Sequence, residues 1–264
     1  MKKLLISLVL LLPLAAAAQT STQSGARASV GIDWKIRKGL HLMVEEEVRT
    51  ENTFKNLGRF QTTIGLDYKP IKWVKLGVGY ILINPYDVEN RAFKNPRHRF
   101  YFDAGAHYDV GGFSFSIKER LQLTHRTGSF NVYQNTPNAL ALKTRLGVEY
   151  KKWTYFEPGV FFEMRTALNG PWGSTSGSIK TKSDGTTYYD YTPGGYTHAY
   201  NDRYRLIFRT DIKFNKHHVL RPYALVDFCS PYEIDTNAEG TRLFSAAYNN
   251  YLCVSIGLGY TFKF

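Results

Sequence analysis

The chain has 264 residues, a formal net charge of +12 at pH 7 and a mean hydropathy of −0.33. Beyond residue 18 it contains no long apolar stretch. This excludes a bundle of membrane-spanning helices, because each such helix takes ~20 apolar residues.

The first eighteen residues have the layout of a secretory signal peptide. Two lysines precede the apolar run Leu4 to Leu14, and four alanines supply a small-residue cleavage site before Gln19. The run is too short to cross about 30 Å of hydrocarbon as a helix. We therefore expect residues 1–18 to be a signal peptide and residues 19–264 to form the mature domain.

The mature chain alternates apolar and polar side chains in eleven segments, as strands do when their two faces meet different environments. The last segment has a wholly apolar face and a small, polar face, and it ends on Phe264. Strands of membrane barrels alternate in this way, apolar towards lipid and polar towards the lumen. The predicted strands are Gly25–Arg37, one that begins at Leu40, Gly58–Tyr68, Trp73–Ile83, Arg97–Tyr108, Phe113–Thr124, Ala139–Tyr150, Trp153–Thr166, Arg203–Phe214, Val219–Cys229 and Asn250–Phe264.

The connections between these segments alternate short and long, as periplasmic turns and extracellular loops do. Trp34, Trp73 and Trp153 lie beside short turns that carry Lys or Arg, which is typical of an aromatic girdle at a membrane–water interface. The sequence therefore predicts an all-β protein, a transmembrane antiparallel up-and-down outer-membrane β-barrel of about 10–12 strands. Its expected location is the outer membrane of a Gram-negative bacterium.

The strand count raises a question of parity. Single-chain bacterial barrels have an even number of strands. Eleven segments mean either that one strand is split or missed, or that the barrel closes with a parallel seam.

The inward positions carry many Arg residues and carboxylates. Charges on neighbouring strands of a narrow lumen are expected to pair, because an unpaired buried charge is costly. Two functional interpretations stay open: a charge-filled structural barrel, and a narrow pore that prefers anions. The predicted lumen charge network comprises Glu45, Glu47, Arg49, Arg97, Arg99, Arg120, Glu163, Arg165, Arg203, Arg205, Arg209 and Asp227.

Several short motifs resemble a family of Gram-negative outer-membrane barrels that is known only as a domain of unknown function. They are the opening strand with Trp34, Glu47-Val48-Arg49, Gly77-Val78-Gly79-Tyr80, the strand with Arg97 and Arg99, and Arg221-Pro222-Tyr223. The resemblance covers nearly all of the mature chain. It implies the fold and the location, and no activity.

Signals for catalysis are weak, and we predict that the protein is not an enzyme and assign no catalytic residue. The alternative is a lipid-active enzyme, since His125 with Thr127 two residues on resembles the His-x-Ser step of outer-membrane phospholipases. No orienting Asn or Asp is assignable from the sequence.

A second alternative is a ligand-binding or adhesion barrel that acts through its long loop Ala167–Asp202, where Asp184-Gly185 forms a hairpin turn.

Histidine spacing indicates no metal site, and no cofactor is predicted. The expected partners are outer-membrane lipids and lipopolysaccharide, whose phosphates suit a basic protein, and nucleic acid is not expected. The sequence does not predict an oligomeric state.

Two further features concern single positions. Cys229 and Cys253 fall in the inward phase of the last two strands, and counting from the turn and from the chain end places them at equal height. This predicts a disulfide, with two free thiols as the alternative. Glu46 and Glu119 interrupt the lipid-facing phase, which suggests a local bulge, a kink or an oligomer contact.

Overall fold

The computed structural model of the protein describes residues 21–51 and 54–264. The predicted signal peptide, residues 1–18, lies outside the described residues. In the described ranges, every regular secondary-structure element is a β-strand. In this part of the chain, no helix is long and apolar enough to cross a membrane, a finding that concerns helices alone.

The strands follow one another in chain order with few interruptions. They are β1 (Thr22–Arg37), β2 (Leu40–Glu51), β3 (Asn56–Ile71), β4 (Val74–Asp87), β5 (Ala92–Phe93), β6 (Arg97–Val110), β7 (Phe113–Arg126), β8 (Asn138–Tyr150), β9 (Phe156–Thr181), β10 (Thr187–Lys213), β11 (His218–Cys229), β12 (Tyr232–Thr236), β13 (Arg242–Tyr248) and β14 (Tyr251–Lys263).

Eleven of these strands close into a barrel, in the order β1-β2-β3-β4-β6-β7-β8-β9-β10-β11-β14. Neighbours pair antiparallel except at the closure, where β14 runs parallel to β1 and Ala26 lies opposite Ile256. The prediction of an all-β barrel is confirmed. The parity question is answered by a parallel seam, so the count of eleven needs no missing strand.

The two ends of the barrel differ. Turns at residues 38–39, 72–73, 111–112, 151–155 and 214–217 form one end, here called the short-turn end. At the first of these turns, Gly39 has a φ of +79°, a conformation that glycine adopts without a steric penalty. The longer connections form the opposite end, here called the mouth. Because β1 and β14 are parallel, Thr22 lies at the mouth and Lys263 at the short-turn end.

In the barrel wall, apolar side chains point outward and polar side chains point inward. On β7, Phe115 and Ile117 point outward and are 45% and 47% exposed, whereas Ser114 and Gln122 point inward and are 1% and 2% exposed. Successive side chains of a strand point to opposite faces, so a single alternating segment gives both surfaces. The barrel therefore has an apolar exterior and a polar, buried interior.

Beyond the mouth the structure is more regular than the sequence indicates. The predicted loop Ala167–Asp202 is largely strand, because β9 and β10 continue past the barrel wall and pair as far as Thr181 and Thr187. The predicted turn at Asp184-Gly185 is confirmed: Gly185 donates to the Lys182 carbonyl, and the Asp184 carboxylate accepts from the Thr186 amide.

A second hairpin, β12–β13, folds over the mouth. It pairs with β10 through Tyr189 and Leu243, and an apolar cluster of Tyr191, Ile234 and Leu243 holds the two hairpins together. The predicted strands leave residues 230–249 as a connection, whereas the structure has two short strands of five and seven residues there.

The predicted disulfide is wrong, since both cysteines are free thiols. The register pairs Cys253 with Asp227 and Cys229 with Tyr251, so the two thiols are offset by two residues. The count failed because His218 pairs with Phe262 rather than with the terminal residue. Diagonal neighbours on a sheet are about 7–8 Å apart, which is beyond bridging distance.

Candidate functional site

The centre of the lumen is organised around Glu163 on β9, which is 3% exposed. Arg145 on β8 donates to its Oε2 from Nη2 at 2.5 Å. Arg205 and Arg203 on β10 approach its Oε1 at 3.5 and 3.7 Å. Three bases from the two neighbouring strands therefore converge on one buried carboxylate.

Arg205 links this group to a second carboxylate, Asp227 on β11. The guanidinium binds Asp227 through two parallel hydrogen bonds, with Nη2 at 2.7 Å from Oδ2. Arg27 on β1 lies 3.7 Å from the same carboxylate. Bidentate Arg–carboxylate pairs are strong and directional, so this pair fixes β10 relative to β11.

On the β6 and β7 side of this group, Asp103 on β6 binds Arg120 on β7 at 2.6 and 2.7 Å and Lys118 at 2.7 Å. The Arg120 guanidinium lies 3.9 Å from the centre of the Tyr101 ring. That ring occupies the space where Gly79 has no side chain, since a Cβ there would lie 2.4 Å from the tyrosine. Gly79 on β4 thus makes room for an inward aromatic ring.

Further pairs lie towards the short-turn end. Arg209 donates to Glu149 at 2.6 Å and stacks 4.3 Å above the Phe161 ring. Arg221 binds Asp211 through two hydrogen bonds of 2.7 Å each.

On β2, Glu47 and Arg49 hydrogen-bond to each other along one strand. Glu45 is half-buried and has no ion pair among the described residues.

Other lumen bases have no counterion. Among the residues that the structure describes, Arg97 and Arg99 make no ion pair, although the Arg99 Nε donates to the Thr124 hydroxyl at 2.9 Å. Arg97 faces Arg126 across the β6–β7 ladder. Like charges placed directly opposite each other are destabilising. The same arrangement recurs at Arg27–Arg49–Arg59 and at Lys143–Arg165–Arg203, in rows across three strands each.

This excess of bases is also visible at single atoms. Four buried arginine Nε atoms have no hydrogen-bond partner in the described part of the chain: those of Arg59, Arg126, Arg165 and Arg203. A buried donor without a partner costs about 1–3 kcal/mol. These four arginines lie in the half of the lumen nearer the mouth, where the described residues leave their Nε donors unsatisfied.

Apolar side chains also occupy the lumen, which the sequence did not indicate. Phe161, Ile207 and Leu225 form a buried cluster against Tyr223, and Ile81 and Ile83 pack on Tyr101. A cavity of about 70 Å³ remains in the lumen and is lined by charged residues only: Lys118, Arg120, Lys143, Arg145 and Glu163. Ion pairs and apolar clusters together fill the middle of the barrel.

The mouth has a larger cavity of about 550 Å³, here called the mouth cavity. It lies between the loop at residues 127–137, the extended β9–β10 ladder and the β12–β13 hairpin. Arg126, Arg165 and Asp202 line its inner side, and Tyr200 and Tyr232 line its wall. Arg165 Nη1 lies 2.9 Å from Asp202 Oδ2, while the buried Asp202 Oδ1 has no partner in the described part of the chain.

His198 is at the centre of an aromatic cluster beside this cavity. Its ring centre lies 4.7 Å from that of Tyr232, 4.8 Å from that of Tyr200 and 5.0 Å from that of Trp172. Burial lowers the pKa of His198 below its ordinary value of 6.5. The cluster therefore disfavours the charged imidazolium.

The predicted girdle residues Trp34, Trp73 and Trp153 are exposed at the short-turn end. Trp153 stacks edge-on against Tyr150, whose ring in turn contacts Phe113. Towards the mouth, the outer face carries a different polar group: the Tyr80 hydroxyl lies 2.7 Å from His98 Nδ1, and His125 Nδ1 lies 2.8 Å from Asn138 Oδ1.

Asn138 is thus an orienting partner for His125 that sequence reasoning did not find. It lies on the neighbouring strand, directly opposite His125, and only the β7–β8 register brings the two together. The Thr127 hydroxyl donates to the Pro96 carbonyl at 2.5 Å, so its proton is already engaged.

The two carboxylates in the outward phase both have a threonine partner. Thr62 donates to Glu46 at 3.0 Å, and Thr144 donates to Glu119 at 2.9 Å, each across one strand pair. Neither position is a register shift between its strands, so a bulge does not explain them.

Comparison with known proteins gives a family. A family model described as "Protein of unknown function (DUF2490)" matches residues 28–230, which include most of the barrel wall. No curated protein matches the chain.

Proposed function

We propose that this chain, which belongs to the DUF2490 family of proteins of unknown function, is an outer-membrane β-barrel with a charge-filled lumen. The observation that supports this proposal is that apolar side chains face outward and charged side chains face inward. Charged residues such as Glu163, Arg205 and Asp227 are buried in the lumen, while large apolar residues are exposed around the outside.

Large apolar side chains are exposed on most strands of the barrel wall. Phe100 and Phe102 on β6 are 53% and 49% exposed, and similar residues occur outward on the neighbouring strands. Soluble monomers rarely expose contiguous apolar patches larger than a few hundred Å². A hydrocarbon environment explains such a belt, and in this proposal outer-membrane lipids and lipopolysaccharide are the direct partners.

Cell fractionation tests the location. The full chain, expressed in a Gram-negative host, is expected in the outer-membrane fraction and to migrate faster on a gel without heating. Recovery in the periplasm in a folded form would contradict the proposal. A variant with Phe100→Asp and Phe102→Asp is expected to lose membrane insertion, because both charges would face lipid.

For the lumen, we favour a filled barrel over an open pore. The interlocked pairs of Glu163, Arg205 and Asp227 and the cluster at Phe161 support this choice. The refolded protein in a planar bilayer is expected to give no steady conductance. Steady conductance, with a reversal potential in asymmetric KCl that indicates selectivity for chloride, would instead establish the anion-preferring pore.

A lipid-active enzyme is the second candidate, and the His125–Asn138 hydrogen bond favours it. An acceptor that orients the imidazole is one part of a hydrolase site, together with a nucleophile and an oxyanion donor. Phospholipase or deacylase activity that is present in the wild type and lost in His125→Ala and Asn138→Ala would establish it. His98→Ala, at the neighbouring outward histidine, is the matched control.

A further inference from the structure

The mouth cavity is preformed by the segments around it. Asn131 donates to the Thr236 carbonyl at 3.3 Å, and the Gln134 amide donates to Asp235 at 2.9 Å, which ties the 127–137 loop to β12. On the other side, Thr136 donates to the Asn169 carbonyl at 2.8 Å. These hydrogen bonds hold the lining residues in place, so no segment has to fold when a ligand binds.

Charge is unevenly distributed in this cavity. Its two bases lie on the inner side. Arg126 is the last residue of β7, and Arg165 lies on β9 near the point where this strand extends beyond the barrel wall. Both have a buried Nε without a partner among the described residues, and Arg97 lies directly opposite Arg126. The acids Glu233 and Asp235 lie further out on β12, where Asn249 and Gln134 donate to them.

The remaining lining residues suit a hydroxylated ligand. Tyr200 and Tyr232 supply ring surface together with hydroxyl groups, and Asp202 has one buried carboxylate oxygen without a hydrogen-bond partner among the described residues. A pocket of about 300–1,000 Å³ with a few convergent polar groups is typical of small-molecule sites. The cavity of about 550 Å³ falls within this range.

We propose that the mouth cavity binds a small hydroxylated anion, such as a sugar acid or a sugar phosphate, whose anionic group is held by Arg126 and Arg165. Guanidinium groups bind carboxylate and phosphate oxygens with paired hydrogen bonds. The hydroxyl groups of the ligand bind Asp202 and the tyrosines. This site goes beyond the proposed structural role and does not require the lumen to conduct.

Isothermal titration of the full refolded chain in detergent tests the site with three probes: glucuronate, glucose 1-phosphate and glucose. At least one of the two anions is expected to bind, and the one that binds more tightly identifies the anionic group. Glucose, which has the hydroxyls without the charge, is expected to bind at least about tenfold more weakly. Equal binding of glucose, or no binding of either anion, would overturn the proposal.

Two variants assign the residues. Arg126→Gln and Arg165→Gln are each expected to weaken anion binding about 10- to 100-fold, since a hydrogen bond to a charged group is lost. Arg242→Gln, on β13 and outside the cavity lining, is the matched control and is expected to bind as the wild type. Unchanged affinity in Arg126→Gln would contradict the site.

Folding does not obscure the result. Arg126 makes no ion pair in the described part of the chain, so its replacement removes no structural contact of that kind. Arg165→Gln also breaks the pair with Asp202, and its folding is checked by gel mobility without heating. Because the titration uses detergent, failure to bind leaves the proposed membrane location untouched, and fractionation tests that location separately.

Discussion

Arg205 and Asp227 lie directly opposite each other on β10 and β11, and two parallel hydrogen bonds join their buried side chains inside the barrel. Asp227→Ala leaves Arg205 in the lumen with only the longer contact to Glu163 at 3.5 Å. We expect the free energy of unfolding to fall by about 3–5 kcal/mol, as for other broken buried pairs.

Urea unfolding in lipid vesicles measures this change. Asp190→Ala, which breaks the exposed pair with Lys180 on the outer hairpin, is the control and is expected to leave the midpoint unchanged. A wild-type midpoint for Asp227→Ala would mean that water solvates the lumen and that the barrel is not charge-filled.

Replacing the outward carboxylate Glu119 is expected to raise the free energy of unfolding, whereas Asp227→Ala lowers it. If β7 faces lipid, Glu119→Leu removes a polar group from hydrocarbon and is expected to stabilise the barrel, by up to about 2 kcal/mol. The same urea titration in vesicles measures it, with Glu119→Gln as an intermediate case. Destabilisation, or loss of a dimer band after cross-linking, would instead indicate that Glu119 and Thr144 form an oligomer contact.

The parallel seam places Thr22 and Lys263 at opposite ends of the barrel, so in the proposed membrane location they lie on opposite sides of the membrane. An epitope inserted before Ser21 is expected at the mouth, and one inserted between Lys151 and Lys152 at the short-turn end. Antibodies should reach the first epitope on intact cells and the second only after permeabilisation. Access to both, or to neither, on intact cells would contradict the seam.

The lowered pKa of His198 predicts that the stability of the hairpins at the mouth depends on pH. Because burial lowers its pKa in the folded state, the unfolded chain binds more protons below its ordinary pKa of 6.5. The stability of the hairpins is therefore present above this value and is expected to fall as the pH drops through it.

Limited proteolysis of the β9–β10 extension at pH 7.5 and at pH 5.5 measures the effect. Cleavage near Asp184 should be faster at the lower pH in the wild type, whereas His198→Phe should cleave at similar rates at both. Equal protection of the wild type at the two pH values would contradict a lowered pKa of His198.

The barrel wall was predictable from the sequence, because its signal is local. Alternation along Phe113–Thr124 gives strand, phase and face at once, and the structure extends that strand by only two residues, to Arg126. Inward residues such as Glu163, Arg205 and Asp227 follow from the same phase. Alternation does not identify partners, since it says nothing about which residues lie opposite each other.

Features that depend on register were not predictable. The counted height of Cys229 and Cys253 failed by two residues, because the alternating pattern keeps the same phase after such a shift. The His125–Asn138 contact and the inward cluster at Phe161 likewise need the full pairing of strands. The bulge at Asn201–Arg203 changes the phase of β10 beyond the wall and obscured the extended hairpin.

The central claim is that the outer face of the barrel meets hydrocarbon while the inner face does not. Phe100 and Tyr101 are adjacent aromatic residues on β6, 53% and 7% exposed, so they report on the two faces at nearly one depth. In a background with all four native tryptophans replaced by phenylalanine, Phe100→Trp and Tyr101→Trp are reconstituted in vesicles of lipids with brominated acyl chains. We predict strong quenching of the tryptophan at position 100 and little at position 101, whereas no quenching at either position, or equal quenching at both, would contradict the claim.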